Sequence, residues 1–189
     1  RVDLMYPESI ITKADQEIVT ARVNSEDDYK NSDWKDRGKY VGFMVERKFM
    51  GWCQKNGFDC KPTNTSNHDF MVNNKTVEVK GKLRSVKTTK DHDASVLEKS
   101  IVHQKPQYYV FGSLFKNRIV QLIGWLEYSD FLNLCRVMKK GSNQGNMVIN
   151  QPSRNVYHWQ TNPMDSFMKV KPEDQTNEEW LADYGKPEE

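Results

Sequence analysis

The chain has 189 residues, enough for one domain whose core needs no disulfide support. Hydrophobic residues make up 37% and charged residues 29%, and five Trp, eight Tyr and eight Phe exclude a largely disordered polymer. No apolar run approaches the roughly 18–20 residues of a spanning helix, and no apolar leader follows Arg1, so neither membrane crossing nor export is expected.

Cys53, Cys60 and Cys135 form no C-x-x-C pair, so the default is reduced thiols in a cytoplasmic setting rather than a zinc knuckle or a disulfide framework. The formal net charge of +2 is too small to announce a polyanionic partner, but its distribution is uneven. Residues 75–90 hold six basic side chains against Glu78 alone, and the stretch from Lys171 onward holds seven acids against two lysines. The basic run reads either as a surface that meets polyanions or as a flexible charged loop; the tail reads as solvated.

In chain order, residues 1–36 are acidic and mixed, with a short helix near Ala14–Val23, and read as an N-terminal extension. Val41, Val45, Phe49 and Trp52 then recur at three- and four-residue spacing, which predicts a helix over Gly38–Asn56, capped by Asp36 and ended by Gly57. Strands are expected at Phe58–Lys61, His68–Val72 and Thr76–Leu83, the last two joined tightly by Asn73-Asn74. Arg84–Lys105 reads as a basic loop with a short helix around Ala94–Val102. Tyr108–Phe115 and Ile119–Leu126 form a hairpin through Lys116-Asn117-Arg118. A helix capped by Ser129 or Asp130 should run to about Lys139 and stop at Gly141, followed by a loop over Asn143–Asn155 and a weak strand at Val156–Gln160. Thr176 and Glu179 have capping-box spacing before Trp180-Leu181, which predicts a short terminal helix. The order implies an α/β domain with a central mixed β-sheet flanked by helices.

The strand over Thr76–Leu83 carries the candidate chemistry. Alternation puts Glu78, Lys80 and Lys82 on one face and Val77, Val79 and Leu83 on the other. Glu-x-Lys is expected about 0.7 times by chance in a chain this long, and a second copy stands at Glu46-Arg47-Lys48. That copy is helical, where residues two apart point in different directions and share no site. The strand copy gains weight from Asp69, nine residues before Glu78 on the neighbouring strand. Two carboxylates so placed repel unless exposed or bridged by a cation. The alternative is a solvated, salt-bridged strand face.

An acidic residue on one strand followed by Glu-x-Lys on the next resembles the PD-(D/E)xK nuclease superfamily, with its restriction-endonuclease-like fold. Here the motif reads Asp69, then Glu78-Val79-Lys80, with His68 where the motif's name has proline. The order Arg37-Gly38, Glu46-Arg47, Gly57-Phe58, Asp69, Glu78-Val79-Lys80 is similar to archaeal Holliday-junction resolvases over residues 37–83. The resemblance implies a nuclease domain over residues 37–170, with residues 171–189 as an acidic tail. It further implies a metal-dependent endonuclease hydrolysing DNA phosphodiesters, with Mg²⁺ (or Mn²⁺) held by Asp69, Glu78 and the Val79 carbonyl. Glu46 would add a second metal or its water shell, and Lys80 would orient the attacking water. Lys82, Arg84, Lys87 and Lys90 would track the DNA backbone. DNA is the implied partner, and the oligomeric state stays open, with a homodimer admitted. Two rivals remain: a non-catalytic nucleic-acid-binding domain of the same fold, and a protein-interaction module.

Of the other residues, Gln104 reads as an ordinary polar residue, although some branches of the superfamily use a glutamine beyond Glu-x-Lys. His92, between Asp91 and Asp93, reads as part of a solvated loop, and His103 and His158 have no partner at ligand spacing. The tryptophans Trp34, Trp52, Trp125, Trp159 and Trp180 read as core or edge packing rather than a base-stacking platform.

Overall fold

The computed structural model describes residues 6–26, 33–63, 65–144 and 147–169, so the expected terminal helix and acidic tail lie outside the described residues. Strand β1 (Glu8–Ile10) leads into helix α1 (Lys13–Ser25). Thr12 starts α1 through a capping box: its hydroxyl accepts from the Asp15 N–H at 3.2 Å, and the Asp15 carboxylate accepts from the Thr12 N–H at 2.8 Å. Helix α2 (Asp33–Lys55) begins earlier than the apolar stripe requires, so Asp36 lies inside it rather than at its cap. Its far end is as expected. Gly57 adopts φ +78°, and the Phe58 and Gly57 N–H groups bond back to the Cys53 and Gln54 carbonyls at 2.9 and 3.1 Å, closing the helix with a left-handed glycine.

Then come β2 (Cys60–Pro62), β3 (Phe70–Val72) and β4 (Lys75–Arg84), with Asn73 and Asn74 at φ 46° and 63° in the tight turn between the last two. Two successive positive-φ residues match the strand twist, and asparagine tolerates that region better than most side chains. Strands β5 (Asp93–Leu97), β6 (Tyr108–Phe115) and β7 (Ile119–Glu127) follow, with helix α3 (Glu98–His103) between the first two. The main sheet runs β1-β7-β6-β4-β3-β2, with β4 and β6 parallel and every other pair antiparallel. This is the mixed sheet expected, flanked by helices.

The sheet separates two cores. Val77, Val79, Val110, Leu114 and Leu122 pack against Val45, Phe49 and Met44 of α2, whereas Tyr109, Phe111, Ile123 and Leu126 pack on the opposite side with Val96, Phe131 and Val156. Helix α2 lies very close to the sheet because Gly81 and Gly112, directly paired across β4 and β6, leave a notch for Val45. A Cβ at Gly81 would stand 2.8 Å from Val45 Cγ2, and one at Gly112 would stand 2.5 Å from Val45 Cγ1.

The opposite face differs from expectation. Ala94–Leu97 is strand, not helix, and the helix is confined to α3. Helix α4 (Tyr128–Leu134) ends well before Lys139, because Arg136–Met138 forms strand β8. The expected loop holds the short pair β9 (Asn143–Gln144) and β10 (Met147–Val148), and the weak strand is β11 (Ser153–Tyr157), shifted towards the N-terminus. Strands β5, β11 and β8 form a second, three-stranded antiparallel sheet. Its pairings join segments far apart in the chain, and such contacts override local helical preference. In the stretch read as an N-terminal extension, β1 pairs with β7 at the sheet edge and α1 packs on α2. Among the described residues, no helix is long and apolar enough to cross a membrane.

Candidate active site

Strands β3 and β4 form a fork. Their register runs from Val72↔Lys75 to Phe70↔Val77, and the Asp69 N–H adds a bond to the Val77 carbonyl at 3.1 Å. There the chain before Asp69 turns away, held by Thr63, whose N–H bonds to the Asp69 carbonyl at 2.9 Å. The Asp69 carboxylate takes the next rung itself, accepting from the Val79 N–H at 2.8 Å. Because a strand residue's N–H and C=O project from the same edge, the Val79 carbonyl also faces the fork.

Glu78, only 3% exposed, projects from the β4 face that carries Lys80. Its Oε1 accepts from Lys80 Nζ at 2.5 Å, while its Oε2 is buried and has no hydrogen-bond partner. Lys80 also donates to Gln104 Oε1 at 3.3 Å, and Gln104 Nε2 donates to the Ser66 carbonyl at 3.0 Å. Gln104 is therefore no ordinary surface residue: it joins the end of α3, the loop before β3 and the lysine. Glu46, on α2, faces a cavity of about 570 Å³ shared with Asp69, Phe43 and Thr65, and pairs with Arg22 of α1 at 2.8 Å.

These three carboxyls perturb one another. Burial pushes Glu78 up to about 7, the Asp69 charge adds to the rise, and Lys80 opposes it. Glu46 is likewise pushed up to about 7 by burial and then by Asp69, against the pull of Arg22. Burial also raises Asp69, although the Val79 N–H and Lys80 hold it down. Burial and mutual repulsion thus disfavour the fully ionised set, while Lys80 and Arg22 offset part of that cost.

The donor set fits a hard divalent cation. Asp69 and Glu78 supply oxygen, Glu78 Oε2 is an orphaned acceptor, and the Val79 carbonyl lies on the same edge. Among the described residues, no three His, Cys, Asp or Glu side chains converge closely enough to hold an ion by themselves. Mg²⁺ does not need them to, since it is typically bound through one or two carboxylates with water and phosphate oxygens filling the rest.

The predicted backbone-contacting residues divide. Lys82 donates to Asp93 Oδ1 at 3.0 Å, and Arg84 donates to the Asp93 carbonyl at 2.6 Å, so both are fixed by one buried aspartate. Lys87 pairs with Glu8 of β1 at 2.9 Å, and Lys90 is exposed. Sequence reasoning missed Arg22, Asp93 and Arg136, for which no local pattern exists. His92 sits in a turn, its Nδ1 accepting from the Thr89 N–H at 3.1 Å, and His158 is buried, its Nδ1 3.0 Å from the Thr89 carbonyl oxygen. Trp125 is buried and Trp52 half-buried, as expected, but Trp159 is 60% exposed.

The raised Glu78 carboxyl has a thermodynamic consequence. Between its ordinary value of 4.5 and about 7, the folded chain binds more protons at this site than the unfolded chain, so its contribution to stability falls as pH rises through that window. Glu78→Gln lacks this loss. In EDTA the wild type should lose about 2 kcal/mol relative to Glu78→Gln between pH 5 and pH 8, as read by urea unfolding. Mg²⁺ should restore the wild type at pH 8 and leave the variant unmoved. A pH-independent difference would contradict this account.

Against known proteins, no protein-family model matches the chain and no curated protein matches it.

Proposed function

We propose that the chain is a Mg²⁺-dependent endonuclease with a restriction-endonuclease-like core, hydrolysing DNA phosphodiesters at the β3–β4 fork. The observation that carries this reading is the pair of half-buried Asp69 and buried Glu78, both with pKa values raised by desolvation, and an orphaned Glu78 Oε2 beside Lys80. A folded protein gains nothing from such repulsion in isolation, whereas a bound cation relieves it.

Asp69, Glu78 and the Val79 carbonyl would hold the ion. When bound, Mg²⁺ neutralises phosphate charge and acidifies water. Lys80, steadied by Glu78 and Gln104, presents a compact ammonium that orients the attacking water or meets the charge developing on phosphate. Glu46 lies on the cavity side of Asp69 and serves as the third acid, its charge governed by Arg22. Lys82 and Arg84, already held by Asp93, offer cations to the adjoining backbone without losing further side-chain freedom. Cutting both strands of a duplex would call on a homodimer.

The test is cleavage of end-labelled single-stranded, duplex and branched DNA with Mg²⁺ or Mn²⁺ against EDTA. Metal-dependent products support the reading; intact DNA in every case would remove it.

A further inference from the structure

The second sheet ends in a feature the hydrolytic site does not use. Tyr157 is the last residue of β11, and Trp159 follows in a single 3-10 turn, His158–Gln160. The Tyr157 and Trp159 rings stack nearly parallel, at 14° with centroids 5.8 Å apart. Arg136 of β8 lies over the Tyr157 ring at 3.8 Å and donates to its hydroxyl at 2.8 Å.

The turn is rigidly held. The Trp159 N–H bonds to the Lys90 carbonyl at 3.1 Å, the Tyr157 N–H to Gln160 Oε1 at 2.8 Å, and buried His158 to the Thr88–Thr89 segment. A 60% exposed indole fixed this firmly is an unusual use of the largest apolar side chain. Its stacking partner Tyr157 stands beside a cationic cluster, paired with Asp93 across β5 and β11. Lys82, Arg84 and Arg136 all lie within 4 Å of Asp93, so three cations face one carboxylate.

This place adjoins the candidate site. Tyr157 pairs directly with Asp93 in the β5–β11 register, and Asp93 holds Lys82. Lys82 shares a face of β4 with Lys80, about 7 Å further along the strand. His158, between the two stacked residues, lines a cavity of about 160 Å³ together with Lys80, Lys82 and Asp93. Cations at backbone-contact spacing beside a fixed aromatic face are what single-stranded nucleic acid needs, since an unpaired base presents its ring face and a paired, stacked base does not.

We propose that Trp159, backed by Tyr157 and Arg136, is a stacking platform for an unpaired nucleobase, so that the substrate of the fork is single-stranded DNA or a single-stranded arm running from Lys80 past Lys82. The substrate assignment rests on the nuclease reading above; the platform itself is a binding site and is tested without cleavage.

The experiment measures binding of the whole chain, in EDTA, to a fluorescent 15-mer of thymidylate, to an abasic 15-mer with the same phosphates, and to a blunt duplex. Trp159→Ala should weaken thymidylate binding about tenfold, Trp159→Phe should keep it within about twofold, and neither should change binding to the abasic strand or the duplex. Quenching of tryptophan fluorescence by the thymidylate strand gives a second reading: it should be clearly smaller in Trp159→Phe than in the wild type, whether or not Trp159→Ala folds. Thymidylate binding unaffected by both variants, equal weakening on all three ligands, or no detectable single-strand binding by the wild type would overturn the platform. In the last case Mg²⁺-dependent duplex cleavage would leave the nuclease reading intact. Base-dependent binding by a chain that cuts nothing would do the reverse.

Discussion

Asp69→Asn should lower Mg²⁺-dependent cleavage by about 10³-fold under single-turnover conditions while leaving the fold in place. The asparagine Oδ1 can still accept the Val79 N–H bond that Asp69 accepts at 2.8 Å, so the rung that holds the fork open survives. What disappears is charge: one of the two carboxylates facing the ion becomes neutral, and the repulsion with Glu78 is relieved. Thermal stability in EDTA should therefore stay level or rise as activity collapses, a combination that a merely structural role would not produce. Lys80→Ala should cost about 10²-fold in the same assay, with metal affinity by calorimetry changed far less than in Asp69→Asn. Cleavage at wild-type rate in either variant would show that any nuclease activity resides elsewhere.

Gly112→Ala should destabilise the chain by about 3 kcal/mol, because one methyl group would intrude where α2 meets the sheet. The new Cβ would stand 2.5 Å from Val45 Cγ1 and 3.3 Å from the Gln121 carbonyl oxygen, so α2 must lift from the sheet or Val45 must leave its place. Val45 adjoins Glu46 in sequence, so the same shift also disturbs the third carboxylate. Urea unfolding of Gly112→Ala, Val45→Ala and the double variant tests the notch. The double variant should be more stable than the sum of the two losses implies, by about 1 kcal/mol or more. Additive losses would mean that Gly112 and Val45 do not constrain each other.

Much of this site was legible in the sequence because its parts are local. The 3–4 spacing of Val41, Val45, Phe49 and Trp52 is a single helix face, and Gly57 ends it with the positive φ that glycine favours. Asn73-Asn74 announced the turn that pairs β3 with β4, and alternation along β4 put Glu78 and Lys80 on one face. What stayed hidden depends on pairing between distant segments. Nothing near Asp93 tells of β11, some sixty residues on, so β5 read as helix and its anchoring of Lys82 and Arg84 could not be foreseen. Gln104 reaches Lys80 because α3 ends just before β6, which runs parallel to β4 beside it, and Arg22 reaches Glu46 only through the docking of α1 on α2. Trp159 read as packing for the same reason: a side chain's exposure is set by what the fold places over it, and this one stays 60% exposed.

The central claim is that the β3–β4 fork is a divalent-cation site, and anomalous diffraction from crystals soaked in Mn²⁺ addresses it directly. The account predicts an anomalous peak between the Asp69 and Glu78 carboxylates, within coordination distance of the Val79 carbonyl oxygen, and its loss in Asp69→Asn crystals. A fork without a peak at millimolar Mn²⁺, with Glu78 Oε2 still unpartnered, would contradict it.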